Sequence, residues 1–173
     1  PSIIVHEGDN LVQTVKKAKS GSIINIHSGK YQLTESLLVK KNISLIGYGA
    51  DRPQIICNSP DAVAIFTGVK TVLQGIDFIH TGDAPADVVR IDGIETHITD
   101  CTFSGGSNAG NKPVGCGLVI SGQTTGLIQS CSFNNNKFLG VRLNNSSSPD
   151  LQSNTCENNE ESGIAYFDDA KGQ

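Results

Sequence analysis

The segment Val89-Arg90-Ile91-Asp92-Gly93 alternates apolar and polar residues and then reaches a glycine. The same order of inward apolar and outward residues, ending in Gly or Asn, recurs at 64–68, 118–122 and 141–145, with Ile65 and Val119 at the first outward position of two copies. Each copy is followed by another apolar position, and these positions are Leu73, Ile98, Ile128 and Leu151. Strict alternation indicates a strand, and a pattern that recurs while its residues drift indicates stacked repeats. The sequence therefore predicts a parallel β-helix, in which each coil lies on the one before it.

Two further positions repeat in every coil. The first is occupied by Ile76, Cys101, Cys131 and Asn154, and the second by Phe78, Phe103, Phe133 and Cys156. We expect both sets to point into the coils and to form stacked columns. Counted from Leu73 to Ile98, Ile128 and Leu151, successive coils are 25, 30 and 23 residues long. The longest coil contains a glycine-rich insertion, 104–115, which cannot pack inward and is predicted to lie on the rim.

The beginning of the chain predicts a cap for this stack. Asp9 or Asn10 can cap a helix, and Gly21 can end it. The apolar stripe of this helix is formed by Leu11, Val12, Val15 and Ala18. Because the first coil of a β-helix has an unpaired edge that must be covered, we expect a capping helix at 9–20 and coils over 22–169. The whole chain, 1–173, is then one domain, with an uncapped last coil that we expect a longer parent chain to continue.

The first coils also contain four short motifs. They are Gly21-Ser22-Ile23-Ile24, Ser28-Gly29-Lys30-Tyr31, Ser36-Leu37-Leu38-Val39 and Ile43-Ser44-Leu45-Ile46-Gly47-Tyr48-Gly49. With the preceding helix, this order of motifs resembles the start of many pectate-lyase-like right-handed β-helices. Later units such as 151–159 are similar to the parallel β-helix repeats of carbohydrate-binding and sugar-hydrolase (CASH) domains.

The resemblance implies an all-β, right-handed, single-stranded parallel β-helix of about six coils with an N-terminal capping α-helix. It says little about function, since this fold carries lyases, hydrolases, epimerases, phage spikes and non-catalytic modules. Spacing supports the fold independently. An antiparallel sandwich would need hairpin turns such as Asn-Gly between alternating strands, and the sequence contains no Asn-Gly dipeptide.

Composition restricts the partners. The chain is 37% hydrophobic and 17% charged, with 19 glycines, which suits a turn-rich all-β fold. Its formal net charge of −4 gives no basic footprint for nucleic acid. No apolar run approaches the roughly 18 residues of a membrane span. We therefore expect neither nucleic acid nor a membrane as a partner.

The five cysteines show no pairing pattern. They are Cys57, Cys101, Cys116, Cys131 and Cys156. An odd number without close pairs is unlike a disulfide framework, and no Cys or His spacing fits a metal site. We expect Cys101 and Cys131 to stack inside the coils as small apolar residues. The sequence predicts no metal and no cofactor, and unpaired thiols favour a reducing compartment such as the cytoplasm.

Because packing accounts for the inward positions, candidate binding residues must lie on outward positions of the repeated strand. Stacked coils are about 4.8 Å apart, so Arg90 and Arg142, two coils apart with Val119 between them, are expected roughly 10 Å from each other. That spacing approximates sugar units along an extended chain, and arginine binds uronate or sulfate well. The candidate ligand-binding residues are Arg90, Asp92, Arg142, Asn144, Tyr166 and Asp168. The alternative is a solvated sheet face whose charges prevent association.

Catalytic groups are hard to assemble from these positions. Glycoside hydrolysis needs two carboxylates roughly 5 to 9.5 Å apart. Asp92 and Asp168 are predicted in one row but three coils apart, at about 14 Å. On that face only Asp92 flanks Arg90, which does not make a calcium cage of several oxygens. Asp77 and His80 could meet across a turn as an acid–base pair, although a surface histidine is the simpler interpretation.

These observations favour a non-catalytic β-helix module that binds a polysaccharide or a protein partner within a larger protein. One alternative is a fragment of a polysaccharide lyase, hydrolase or epimerase. Another is a structural element that associates with itself through the edge of the C-terminal coil, where Ile164 to Phe167 lie.

Overall fold

The computed structural model describes residues 1–108, 110 and 113–172. It contains one helix and seventeen strands in that part of the chain. In chain order they are β1 (Ser2–Val5), α1 (Leu11–Lys17), β2 (Ser22–His27), β3 (Lys30–Leu33), β4 (Leu37–Val39), β5 (Ile43–Tyr48), β6 (Gln54–Cys57), β7 (Ala64–Thr67), β8 (Lys70–Gln74), β9 (Asp77–His80), β10 (Val89–Thr99), β11 (Thr102–Ser104), β12 (Leu118–Gln129), β13 (Ser132–Asn134), β14 (Val141–Leu143), β15 (Asp150–Gln152), β16 (Thr155–Glu157) and β17 (Ile164–Tyr166).

All pairings between these strands are parallel, and they build a right-handed β-helix of about six coils, as the sequence predicts. The coils present three faces. The first face is formed by β4, β7, the beginnings of β10 and β12, β14 and β17. The second is formed by β1, β2, β5, β8, the ends of β10 and β12, and β15. The third is formed by β3, β6, β9, β11, β13 and β16.

The core consists of stacked columns inside the coils. The rings of Phe78 and Phe103 are 5.5 Å apart between centroids, and those of Phe103 and Phe133 are 5.1 Å apart, with 10° between the ring planes in each case. All three side chains are fully buried. On the second face, Leu73, Ile98 and Ile128 pair in the same register. The predicted piling of apolar positions is therefore confirmed.

Polar residues fix the corners between faces. Asp100, Ser130 and Ser153 hold the same corner of successive coils with φ values of 53° to 54°, a left-handed conformation that short polar side chains tolerate best after glycine. Another corner contains Asn136, which is fully buried. Its Oδ1 accepts from the Gly106 amide at 2.9 Å and its Nδ2 donates to Asn159 Oδ1 at 2.9 Å. The first of these bonds satisfies a backbone amide where the ladder is interrupted, and the second joins the side chains of two successive coils.

The capping helix is shorter than the sequence predicts. Asn10 caps it, accepting from the Gln13 amide at 3.0 Å, and the helix ends at Lys17, so the predicted range 9–20 is wrong at both ends. The early end follows from the extended backbone of Ala18 (ψ 141°) and from Lys41, whose Nζ donates to the carbonyl oxygens of Lys16 and Ala18 at 2.7 and 2.6 Å. Within the described residues, no helix is both long and apolar enough to traverse a bilayer.

The insertion at 104–115 is tied to its neighbours at both ends. Ser107 forms an antiparallel bridge with Ala86 in the preceding coil, and Gly106 and Gly115 are buried. The prediction that the insertion cannot pack inward is therefore wrong for its ends. Part of the segment, namely Ala109, Asn111 and Lys112, lies outside the described residues.

Candidate functional site

Four of the six predicted candidate residues lie on the outward side of the first face. Arg90 pairs with Val119, and Val119 pairs with Arg142, so the two arginines share a row two coils apart. Asp92 pairs with Ser121 in the parallel row, and Asn144 Nδ2 lies 3.5 Å from Ser121 Oγ. These four candidates, Arg90, Asp92, Arg142 and Asn144, therefore share one face, as predicted from the repeat.

Tyr166 and Asp168 do not join these rows. Arg142 pairs with Ala165, and Leu143 pairs with Tyr166, which places Tyr166 in the inward column. Asp168 lies at the following corner with φ 57°, and its Oδ2 accepts from the Asn145 amide at 3.0 Å. The predicted positions of both residues are wrong by one step, because the last coil keeps the 23-residue period. That spacing, already visible between Ile128 and Leu151, would have matched Arg142 with Ala165.

The two arginines have different surroundings. Arg142 Nε donates to Asn144 Oδ1 at 2.9 Å, and its Nη1 donates to the Pro113 carbonyl oxygen at 3.3 Å. Its guanidinium carbon also lies 4.4 Å from the centre of the Phe167 ring, in cation–π geometry. Three contacts within the protein therefore hold Arg142 in place.

Arg90 is freer. Its side chain is 47% exposed, and its Nε lies 3.9 Å from Asp87 Oδ2, a long and weak ion pair. Beside it, a depression of about 190 Å³ opens on the first face. Its outward lining is formed by Ile65, Thr67, Arg90, Asp92 and Ser121. One cation, one carboxylate and two hydroxyls therefore meet at a surface that a ligand can reach.

Asp87 was not found from the sequence. Its side chain is almost completely buried, and its Oδ1 accepts from the backbone amides of Gly115 and Cys116 at 3.1 and 2.9 Å. Burial raises the pKa of this carboxyl, against the smaller opposing effects of these hydrogen bonds and of Arg90. Asp87 thus fixes the end of the insertion and lies beside Arg90. The feature of the sequence that could have indicated Asp87 is its position, two residues before β10 begins at Val89.

The middle of the arginine row is covered. Val119 was predicted to face outward with the arginines, yet it is only 7% exposed. It belongs to a small second cluster with Cys116 and Leu139, against which Phe138 and Ala165 pack. Burial raises the pKa of the Cys116 thiol to about 12, so this cysteine serves as an apolar residue. The row is therefore interrupted between Arg90 and Arg142.

The histidines do not form the acid–base pair considered above. His80 is buried, and its Nε2 lies 2.9 Å from the Ser59 carbonyl oxygen. Asp77 Oδ1 instead lies 3.3 Å from Arg52 Nε. A different pair, missed in the sequence, occurs on the second face, where His97 Nε2 and Glu95 Oε1 are 2.8 Å apart. The bond from His97 lowers the pKa of Glu95, and both side chains are exposed on an open sheet.

Across residues 1–108, 110 and 113–172, no group of three or more His, Cys, Asp or Glu side chains is arranged to hold a metal ion. In the depression itself, the lining includes one carboxylate, that of Asp92. The nearby Asp87 carboxylate is committed to the two backbone amides described above. The described part of this site therefore contains no pair of free carboxylates of the kind glycoside hydrolysis uses.

Comparison with known families agrees with the fold. A family model described as "Right handed beta helix region" matches residues 55–173, more than half of the chain. The chain belongs to the right-handed beta helix family. In this right-handed beta helix, the match begins at β6 and includes all of the candidate binding residues. No curated protein matches the chain significantly.

Proposed function

We propose that this protein is a non-catalytic β-helix module that binds an extended glycan on the outward side of its first face. The observation that carries the proposal is the depression in which the side chains of Thr67, Arg90, Asp92 and Ser121 converge. Sugar hydroxyls both donate and accept hydrogen bonds, and these four groups offer donors and acceptors within one small area.

The spacing of the face supports an extended ligand. Thr67, Asp92 and Ser121 occupy one row in three successive coils. Neighbouring coils are separated by about 4.8 Å, so two coils correspond roughly to the repeat of a sugar chain. Asn144 continues the row by one further coil through its contact with Ser121. A linear polymer that runs parallel to the axis can therefore meet equivalent polar groups repeatedly.

The absence of a second free carboxylate from the described lining supports binding without catalysis. A hydrolase would need an acid and a base or nucleophile on opposite sides of the bond. Asp92 alone supplies a free carboxylate among the residues that line the depression. The proposed role of Asp92 is therefore to accept hydrogen bonds from ligand hydroxyls.

A glycan array followed by calorimetry tests the proposal. The wild-type chain is expected to bind one class of oligosaccharide without releasing shortened or unsaturated products. Arg90→Ala and Asp92→Ala are each expected to weaken binding by about tenfold, the effect of one or two lost hydrogen bonds to a ligand. His97→Ala on the second face is the matched control and should bind as the wild type does.

Two results would contradict the proposal. One is a complete lack of glycan binding by a folded chain. The other is steady turnover of a polysaccharide that disappears in Asp92→Ala, which would identify an enzyme. If Arg142→Ala weakened binding as much as Arg90→Ala while the stability stayed unchanged, the ligand would contact both arginines, and the depression would not be the centre of the site.

A further inference from the structure

Two apolar side chains lie beside the depression of the first face. Leu38 pairs with Ile65, and Ile65 pairs with Arg90, so these residues follow one another in the outward row of three successive coils. Leu38 is 57% exposed, whereas Ile65 is half-buried and lines the depression. The row therefore changes from apolar to cationic over two coils, or about 10 Å.

The protein covers one apolar residue of this row and leaves the other two open. Val119 is buried in a cluster with Cys116 and Leu139. In the part of the chain that the structure describes, neither Leu38 nor Ile65 belongs to such a cluster. Both side chains project outward from the sheet and not along its axis, so their exposure does not depend on the ends of the stack. Apolar surface bordered by polar groups is a common feature of ligand-binding grooves.

The second outward row places polar groups beside these apolar ones. Thr67 follows Ile65 by two residues in β7, and it pairs with Asp92 in the next coil. Asp92 is therefore the diagonal neighbour of Ile65, and diagonal side chains of two strands are close enough for one small group to contact both. Arg90 borders the same space. An aliphatic contact, a carboxylate acceptor and a guanidinium donor thus meet in one depression.

The shape of the apolar groups limits what they can bind. The flat side of a sugar ring packs best on a flat aromatic ring, but the aromatic residue of β7, Phe66, is fully buried on the inward side. The outward apolar residues, Leu38 and Ile65, are branched and aliphatic, and they form no flat platform. Together with a depression of about 190 Å³, they suit a small apolar group such as a methyl.

We propose that the glycan bound on the first face contains N-acetylhexosamine, and that its acetamido group enters the depression. This inference rests on the glycan-binding function proposed above. The acetamido methyl packs on Ile65 and Leu38, its N–H donates to the Asp92 carboxylate, and its carbonyl oxygen accepts from the Arg90 guanidinium. A hydroxyl in its place would lose the apolar contact and one of the two polar contacts.

Charge favours this neutral group over an acidic one. The lining of the depression contains one cation, Arg90, and one carboxylate, that of Asp92. A uronate or sulfate placed there would pair with the arginine, but it would also lie beside the carboxylate, and like charges in contact are unfavourable. It would further lose hydration against Ile65. A neutral group that both donates and accepts hydrogen bonds meets neither penalty.

Calorimetry with matched tetrasaccharides tests the inference. One pair is the tetramer of N-acetylglucosamine from chitin and the tetramer of glucose from cellulose, which share a linkage and differ in the acetamido group. A second pair is made of N-acetylgalactosamine and galactose, and a tetramer of galacturonic acid is the charged comparison. In at least one pair, the N-acetylated member is expected to bind the wild-type chain about tenfold or more tightly than its partner.

Variants of the two apolar residues locate the contact. Leu38→Thr and Ile65→Thr remove aliphatic surface and keep side chains compatible with a strand. Each is expected to weaken binding of the N-acetylated tetramer about tenfold and to leave the binding of its hydroxyl-bearing partner nearly unchanged. Ile94→Thr, at an isoleucine outside the depression that is 54% exposed, is the matched control and should bind as the wild type does. Far-ultraviolet circular dichroism verifies that each variant is folded.

The outcomes separate this inference from the function on which it rests. Equal binding within both pairs, or a preference for the galacturonic acid tetramer, overturns the acetamido inference and leaves glycan binding in place. Unchanged selectivity in the folded Leu38→Thr and Ile65→Thr variants overturns it too, because the acetamido group would then be recognised elsewhere. A folded wild-type chain that binds none of these tetramers and no glycan on an array overturns both proposals.

Discussion

The inside of the coils and the outward side of the first face follow the same register, but they obey different rules. Inside, Phe78, Phe103 and Phe133 repeat one environment, each ring stacked on the next. Outside, Arg90 and Arg142 occupy equivalent positions of one row, yet the first is largely free and the second is held by three contacts. Periodicity determines where a residue stands, and only in the core does it also determine what surrounds it.

Part of the difference arises from the insertion and from the residue that follows it. Inside a coil, the neighbours of a side chain come from the coils above and below, which the repeat supplies. Outside, a single irregular segment can change the surroundings of one position. The Pro113 carbonyl oxygen binds Arg142, and the cluster that includes Cys116 buries Val119. A repeat therefore predicts a core well and predicts a binding surface only up to the first insertion.

The largest expected effect concerns the core. Phe103→Ala removes the central ring of the stack, and a fully buried Phe→Ala change costs about 3–5 kcal/mol through lost burial and an unfilled cavity. Urea unfolding measures the loss. Ile94→Ala, at a side chain that is 54% exposed, is the control and should change the unfolding free energy by less than about 0.5 kcal/mol. Equal losses for the two variants would contradict the stacked core.

Asp87 is buried beside Arg90 of the first face. Its substitution is expected to give the next largest loss of unfolding free energy. Asp87→Ala leaves the buried amides of Gly115 and Cys116 without their acceptor. One unsatisfied buried group costs about 1–3 kcal/mol, so we expect a loss of about 2–4 kcal/mol for two amides that are partly rehydrated. Asp87→Asn keeps an oxygen acceptor in place and should lose much less.

The pH dependence of stability follows from the pKa shift of the same carboxyl. Burial raises the folded pKa of Asp87 above its unfolded value. The folded state therefore takes up this proton more readily, and the resulting stabilisation is complete below the unfolded pKa of about 3.9 and is lost as the pH rises through the folded pKa. Asp87→Asn lacks this contribution because its amide does not titrate.

Urea unfolding of the wild type and of Asp87→Asn between pH 4 and pH 7 measures this contribution. We expect the unfolding free energy of the wild type, relative to that of Asp87→Asn, to increase as the pH falls through this range. The comparison cancels the titration of every other group that the two chains share. A relative stability of the wild type that decreased toward acid would show that the fold stabilises ionised Asp87.

The smallest expected effect is the difference in stability loss between Arg142→Ala and Arg90→Ala. Arg142→Ala removes a side-chain bond to Asn144, a bond to a backbone oxygen and a contact with Phe167, and should cost about 1–2 kcal/mol. Arg90→Ala removes one long ion pair and should cost less than about 0.5 kcal/mol. Thermal melts of both variants under one buffer condition test the order. If Arg90→Ala were the more destabilising change, the conclusion that Arg142 is held more firmly than Arg90 would be contradicted.

Much of the fold could be predicted from the sequence, because the residues of a buried column recur as apolar positions once in every coil. Phe78, Phe103 and Phe133 were predicted to stack, and they do. The end of the capping helix was misplaced because Lys41, more than twenty residues further along the chain, satisfies its last carbonyl oxygens. Tyr166 was misplaced by a single residue, and in a strand one step exchanges the inward and outward sides.

The candidate site was only partly predictable. Arg90 and Asp92 were found because they occupy outward positions of a regular strand. Asp87 was missed because it precedes that strand, and its importance comes from bonds to amides at the end of the insertion, 28 and 29 residues away in the chain. Long-range contacts of an irregular segment leave no periodic signal from which to infer them.

Nuclear Overhauser effects between phenylalanine rings test the stacking of the coils most directly. In a chain labelled at phenylalanine, we predict ring-to-ring signals between Phe78 and Phe103 and between Phe103 and Phe133, at centroid distances of 5.5 and 5.1 Å. Phe78 and Phe133, separated by the intervening ring, should give none. A direct signal between Phe78 and Phe133, or the lack of both predicted signals in a folded sample, would show that the coils do not climb one axis in this order.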